Sequence, residues 1–337
     1  MTSYKMNILY QFSETYAPFA GISITSLLMN NQGDIHFFLL TPAIGTADLQ
    51  KIQDTIESFG QRYTIVETTD LDEKLTELDF PKYRGSYTTN YKLFIADLIT
   101  SDVERILYID SDTVVTGDIS ELFEMDMGDH CVAMVTDSIC NNVKILKGFQ
   151  KEDYYCNAGV ILFNIPVWNA AGIEGKIVAH LMETHERYAS PDQDLINLIV
   201  GRDILKLHPR YNLQPLHYAY SDKTYFNYYH PVAYYSAEEI QEARNHPAIM
   251  HTFRFIGEYP WHKGNVHPQV SFFDEYLRKS QWSDYQKSPS DIGRVHKMEK
   301  VLYKILPRSL YLRVFNFYFN RYFKELIRSV KSGEDSD

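Results

Sequence analysis

Arg105-Ile-Leu-Tyr-Ile-Asp110-Ser-Asp112-Thr-Val-Val115 (RILYIDSDTVV) is an apolar strand that delivers two carboxylates and runs on into a second apolar triplet. Residues 105–109 show no polar alternation, as expected of a strand covered on both faces. In extended backbone, residues i and i+2 project to the same side, so Asp110 and Asp112 can face one hard cation together. Oxygen ligands of this kind suit Mg2+ or Mn2+. Alone, Asp-x-Asp is more often a solvated turn. Two carboxylates at the end of a buried strand are different, because charges there need a partner.

Working outward, strand and helix patterns alternate. Asn7–Phe12, Ile35–Leu40, Tyr63–Glu67, Cys131–Val135 and Val160–Asn164 have strand length and character. Ala17–Asn31 carries apolar residues at helical spacing, Thr46 is placed to cap a helix over Ala47–Phe59, and further helices are expected over Thr88–Thr100 and Gly172–Tyr188. This alternation predicts an α/β fold with a mostly parallel sheet and helices on both faces. Ligands bind such sheets beyond the carboxyl ends of the strands, and Asp110 and Asp112 follow one of those ends.

Three further segments carry chemistry. His251 follows the apolar run Ala248–Met250 and is a third candidate ligand beside the carboxylates, which tilts the choice toward Mn2+; with 12 His residues in the chain, a structural role is as common for any one of them. Downstream, Gly257 permits close backbone approach to a phosphate, and Pro260–Trp261 reads as a rigid aromatic wall. Asn157-Ala158-Gly159, ahead of an apolar strand, suits tight contact with a sugar ring or is a simple bulge. In Ser190–Asn197 (SPDQDLIN), Asp192 can accept hydroxyl hydrogen bonds and Gln193 can place its carbonyl at a reacting carbon; the plainer reading is a helix start.

A net charge of −11 argues against nucleic-acid binding. The three cysteines, Cys131, Cys140 and Cys156, form no framework and fit a reducing compartment. The N-terminus lacks a signal-peptide pattern and no apolar run spans a bilayer, so the expected location is cytoplasmic. From Arg294 to Lys331, ten Lys/Arg stand against Glu299 and Glu325, interleaved with aromatic residues from Tyr303 to Phe323. That mixture fits a segment lying on the anionic inner face of the cell membrane, or a basic cap docked on an acidic body. The expected organisation is a catalytic domain over 1–270, a helical and possible membrane-associating extension over 271–331, and a disordered tail over 332–337.

The ordered set YKLFIADL, LYIDSDTVV, NAGVILFN, DQDLIN and H-x5-G-x2-PW resembles the retaining glycosyltransferases of family 8 over roughly residues 6–270. The resemblance implies a GT-A fold, a UDP-sugar donor, a saccharide acceptor and Mn2+. It makes Asp110, Asp112 and His251 the metal ligands. Asn157, Ala158, Gly159 and Asp192 would meet the donor sugar, Gln193 would sit at the anomeric carbon, and Gly257 would meet the diphosphate. Gln11, Ser13, Thr15, Tyr16, Lys92 and Ser111 complete the expected donor contacts. The chain departs from the family pattern at Ser13, where an Asp is common, at Lys92, where an Arg is frequent, and at Tyr259, in place of a phosphate-contacting Lys. Lys263, ahead of Arg254, is the residue expected to supply that missing charge. Galactose is the expected sugar, with glucose next. A metal-dependent nucleotidyltransferase or phosphohydrolase would need further acidic ligands or a basic phosphate loop, and neither is present in the sequence.

Overall fold

The computed structural model describes residues 5–42, 44–83, 85–99, 103–138, 141–184 and 188–315. The strands are β1 (Lys5–Gln11), β2 (Asp34–Leu40), β3 (Arg62–Val66), β4 (Arg105–Ile109), β5 (Thr113–Val115), β6 (Val132–Thr136), β7 (Cys156–Asn164), β8 (Leu205–Lys206) and β9 (Ile249–His251). Seven of them form one sheet in the order β3-β2-β1-β4-β7-β6-β8, and β5 pairs with β9 in a small second ladder. The fold is α/β with a mostly parallel sheet, as the alternation predicts.

Period-2 alternation divides the core. Ile8 and Tyr10 of β1, with Leu107 and Ile109 of β4, face helices α1 (Ala17–Asn30) and α2 (Ala47–Ser58). Leu9, Ile106 and Tyr108 point to the other face, toward Leu93, Phe94 and the helix Pro191–Ile199. Thr46 caps α2 by accepting from the Leu49 amide.

The exception to parallel pairing positions the site. β7 runs antiparallel to both β4 and β6, so its first residues lie at the carboxyl end of β4. Asn157, Ala158 and Gly159 are thus inside the strand rather than ahead of it. The register slips between Met134, paired with Ile161, and Val135, paired with Asn157. The bulge swings Ala158–Val160 out of the β6 ladder, and the Asp110 amide donates to Gly159 O at 2.8 Å.

The helix expected over Thr88–Thr100 is instead a 3-10 turn, Thr88–Phe94, followed by the short helix Ile95–Leu98; Thr100 lies outside the described residues. Competing bonds divert this backbone: Asn90 donates to Pro81 O at 2.9 Å, and the Lys92 amide donates to Gln11 Oε1 at 3.1 Å. The helix expected over Gly172–Tyr188 covers Ile173–Thr184, with 185–187 outside the described residues.

Past residue 270 the chain packs back onto the residues before it. Helix Val270–Lys279 packs Phe273, Tyr276 and Leu277 into the cluster around α1. Trp282 sits against Gly21 so closely that a methyl group there would lie 2.0 Å from the ring. Helix Arg294–Ile305 docks through Tyr303 onto Tyr220, Phe255 and Ile256. Residues 316–337, which hold the expected tail and much of the basic aromatic stretch, lie outside the described residues. No described helix is long and apolar enough to cross a membrane.

Candidate active site

Three elements converge beyond the carboxyl end of β4. Asp110 and Asp112 leave the strand, and the β5–β9 ladder sets Thr113 opposite His251. Thr252 secures that edge, its amide and hydroxyl donating to Asp112 O at 2.8 and 2.7 Å. His251 Nε2 lies 3.2 Å from Asp112 Oδ1 and 3.6 Å from Asp110 Oδ2. One ligand atom from each residue falls within 4.8 Å of the others.

The imidazole is fixed from behind. Its Nδ1 lies 3.0 Å from both Asn157 Oδ1 and Asn212 Oδ1. The Asn157 oxygen also accepts from Asn212 Nδ2 at 2.8 Å and the Gly159 amide at 3.0 Å, which settles the amide orientation. Nδ1 therefore carries the hydrogen, and in the neutral ring Nε2 turns a lone pair toward two carboxylates. Lone pairs so arranged can hold a cation between them, and the oxygen, oxygen, nitrogen set suits a divalent metal. Burial pulls the His251 imidazolium down, but Asp112 and Asp110 outweigh it and the net shift is upward. Burial likewise raises Asp110, opposed by Lys92 and reinforced by Asp112. Gly159 is the floor that lets the ring in: a Cβ there would meet His251 Cε1 at 2.0 Å, Nδ1 at 2.5 Å and Asp110 Oδ2 at 2.9 Å.

Lys92, one of the expected donor contacts, is a buried side chain. Its side chain is 1% exposed. The ammonium reaches Asp192 Oδ2 at 2.7 Å, Ala158 O at 3.1 Å and Asp110 Oδ1 at 3.7 Å, and lies 4.2 Å from the centre of the Tyr108 ring. Tyr108 in turn hydrogen-bonds Asp110. Burial lowers the Lys92 pKa, yet Asp110 and Asp192 hold it above its ordinary value. It acts as an internal counter-ion joining Asp110 to Asp192.

Gln193 is equally engaged. Its Oε1 accepts from the Ala158 amide at 3.1 Å and Asn157 Nδ2 at 3.2 Å, while its Nε2 donates to Asp137 Oδ2 at 3.0 Å. Asp137 also accepts from Asn157 Nδ2 at 2.9 Å. Ser190 makes no side-chain cap on the helix Pro191–Ile199; instead its amide donates to Asp194 Oδ2 at 3.1 Å.

The remaining expected contacts divide into buried braces and an outer rim. Gln11 bridges Thr89 O and the Lys92 amide, and Ser111 Oγ donates to Gln11 O at 3.1 Å. Ser13 and Thr15 share a 3.0 Å hydrogen bond on an exposed turn. Tyr16 donates to the Tyr259 hydroxyl at 3.2 Å. Trp261 is not an open wall: it is 4% exposed, stacked between Phe19 at 3.8 Å and Tyr259 at 4.3 Å.

Ile256 and Gly257, with φ of 51° and 73°, form the two-residue turn between Phe255 and Glu258. Ile292 and His296 press on Gly257, where a Cβ would lie 2.9 Å from His296 Cδ2. The fully buried Glu258 pairs with Lys300 at 2.8 Å and accepts from Ser290 Oγ at 2.5 Å. Lys263 is exposed, its amide donating to Ser288 O at 2.8 Å, whereas the Arg254 guanidinium lies 5.0 Å from the centre of the Tyr259 ring. Sequence reasoning missed Asp137, Asn212 and Lys147; Asn212 and Asp137 are isolated polar residues outside every recognisable motif.

The sequence profile of glycosyl transferase family 8 matches residues 7–264, most of the chain and the whole of this site. The chain belongs to glycosyl transferase family 8. Among curated relatives of this family 8 chain, lipopolysaccharide 1,2-glucosyltransferase of Escherichia coli K12 is 27% identical, covering 92% of this chain and 88% of the relative. Lipopolysaccharide 1,3-galactosyltransferase of Salmonella typhimurium is also 27% identical, covering 83% and 80%. Among solved structures, the galactosyltransferase LgtC, in complex with donor and acceptor sugar analogs, superposes with a TM-score of 0.66 at 22% identity, covering 82% of this chain and 96% of that one. The fold is therefore GT-A, and the family 8 chain is a glycosyltransferase.

Proposed function

We propose that this glycosyltransferase moves a hexose, galactose first and glucose second, from UDP to a saccharide of a bacterial surface glycan, with retention of configuration and dependence on Mn2+. The observation that carries the reading is the convergence of Asp110, Asp112 and His251 on one point, with the imidazole oriented by Asn157 and Asn212. Those three residues would hold the cation, which when bound neutralises charge on the diphosphate leaving group. Galactose and glucose both appear among the relatives, and they differ at one hydroxyl that a single hydrogen bond can discriminate.

Asn157 and Asp192 would read sugar hydroxyls, and Lys92 holds the Asp192 carboxylate in place at 2.7 Å. Gln193 serves as a positioner: its carbonyl oxygen already accepts two protein hydrogen bonds, and an amide is a poor nucleophile. The bond from the anomeric carbon to UDP breaks and the bond to the acceptor oxygen forms on the same face. The acceptor proton passes to the departing phosphate oxygen. Gly257 at its tight turn, Tyr259 and the rim residues Ser13, Thr15 and Tyr16 bound the nucleotide side.

The acceptor would be met at the cytoplasmic face of the membrane. Val295, Met298, Val301 and Ile305 form an exposed apolar stripe on the helix Arg294–Ile305, between 55% and 67% exposed, with Arg294, Lys297 and Lys304 beside it.

The deciding experiment is UDP release from UDP-galactose and UDP-glucose, with Mn2+ or EDTA, for wild type and Asp112→Ala. Slow hydrolysis of one donor, lost in EDTA and in the variant, supports the reading. Folded protein that neither binds nor hydrolyses a UDP-sugar refutes it.

A further inference from the structure

Asp194 lies next to Gln193 yet takes no part in the site described above. It is 2% exposed and accepts from three donors: Lys147 Nζ at 2.8 Å through Oδ1 and 3.0 Å through Oδ2, the Tyr155 hydroxyl at 2.5 Å, and the Ser190 amide at 3.1 Å. The Lys147 side chain is 6% exposed, and its ammonium has Ser190 Oγ at 3.5 Å and lies 5.4 Å from the Tyr155 ring centre. A buried charge pair is held by good geometry or not at all, since each ion has lost its water. Here the geometry is complete, and it joins the helix Pro191–Ile199 to the segment just after the helix Asn141–Leu146.

Three successive residues of one helical turn are therefore held from three separate elements. Asp192 is held by Lys92 from the 3-10 turn, Gln193 by Asp137 and Ala158 from the sheet, and Asp194 by Lys147. The middle residue is held by neutral or single hydrogen bonds and the outer two by ion pairs. We propose that Lys147, acting through Asp194, is a positioning residue for the reaction, setting where Asp192 and Gln193 stand relative to the anomeric carbon. The inference rests on the transferase reading for its consequence in turnover, but not for its structural part. A displacement of about 1 Å at a reacting centre can cost 10²-fold in rate, whereas Lys147 makes no contact with Asp110, Asp112 or His251.

The test compares wild type with Lys147→Met and Lys147→Arg, and with Lys147→Met/Asp194→Asn, which leaves no unpaired buried charge should the single variant fail to fold. Two readouts are taken: metal-dependent UDP release from UDP-galactose and UDP-glucose, and amide hydrogen exchange across residues 188–197 without ligand. Expected are a kcat reduced roughly 10- to 100-fold in Lys147→Met and in the double variant, an unchanged Mn2+ midpoint, recovery with arginine, and faster exchange confined to the first turn of the helix. Folded variants with wild-type kcat and wild-type exchange overturn the proposal. So does a loss that arginine does not recover and that brings a shifted Mn2+ midpoint, since that is general collapse. If wild type releases no UDP, the transferase reading fails, and the exchange comparison still decides the positional claim.

Discussion

Replacing Gly159 with alanine puts one methyl group into the space the His251 ring occupies. The glycine lies within β7 and outside the left-handed region, so the backbone accepts alanine and the effect is steric. The new Cβ would stand 2.0 Å from His251 Cε1, and an ordinary carbon contact is about 3.5–4.0 Å, so the ring must retreat by roughly 1.5 Å. That movement takes both 3.0 Å contacts from Nδ1 to Asn157 and Asn212 beyond hydrogen-bonding distance. Loss of that shared buried hydrogen bond at about 1 kcal/mol, with overpacking of about 1–3 kcal/mol, gives a strain of roughly 2–4 kcal/mol. Disturbing an outer partner of a metal ligand typically costs about 10- to 100-fold in affinity, and here the ligand itself moves. Mn2+ titration followed by tryptophan fluorescence or calorimetry should show at least that weakening, alongside a lower Tm. A Gly159→Ala protein that binds Mn2+ as wild type does would show that the imidazole does not stand over Gly159, and would remove His251 from the ligand set.

Lys92→Met strips the counter-ion shared by Asp110 and Asp192; leaving such charges buried costs about 3–5 kcal/mol, read by urea unfolding at neutral pH, and unchanged stability would show that Lys92 does not bridge them. Acid should destabilise the fold through His217, held down to about 3 by burial, and His267, held down to about 4 by burial. Both folded values are depressed, so the stability they contribute is complete above the unfolded value of about 6.5 and falls on acidification at about 1.4 kcal/mol per pH unit for each. His217→Gln should flatten the decline of Tm between pH 6.5 and 5, and an unaltered profile would refute that assignment. Met298→Asp or Ile305→Asp should weaken co-sedimentation with anionic vesicles while leaving UDP release in solution intact; retained binding would remove the stripe from the membrane reading.

The sheet and the cluster of Asp110, Asp112 and His251 are legible in the sequence because each rests on local pattern. An unbroken apolar run ending in Asp110 and Asp112 allows few other structures, and His251 follows a short strand of the same kind. What could not be read depends on pairings far apart in sequence. The antiparallel course of β7 decides that Gly159 lies against the imidazole, and nothing in NAGVILFN states its direction. Lys92 reads as a donor contact standing where the family often has an Arg, and only the packing of Tyr108 and Asp192 shows its side chain to be buried. Asp137, Asn212 and Lys147 are single polar residues whose meaning appears when their partners, 20 to 56 positions away, are brought alongside.

The attachment of residues beyond the family match has a consequence for where this protein can be cut. A chain stopped at 270 would keep every matched residue, yet the notch at Gly21 would lose Trp282 and open to water. Glu258 would forfeit both the ammonium of Lys300 and the hydroxyl of Ser290. Such a fragment should melt at a lower temperature and be cut faster by proteases than the full chain, however complete it looks by sequence. The packed body of this enzyme thus runs on through the helix Arg294–Ile305, beyond the matched residues 7–264.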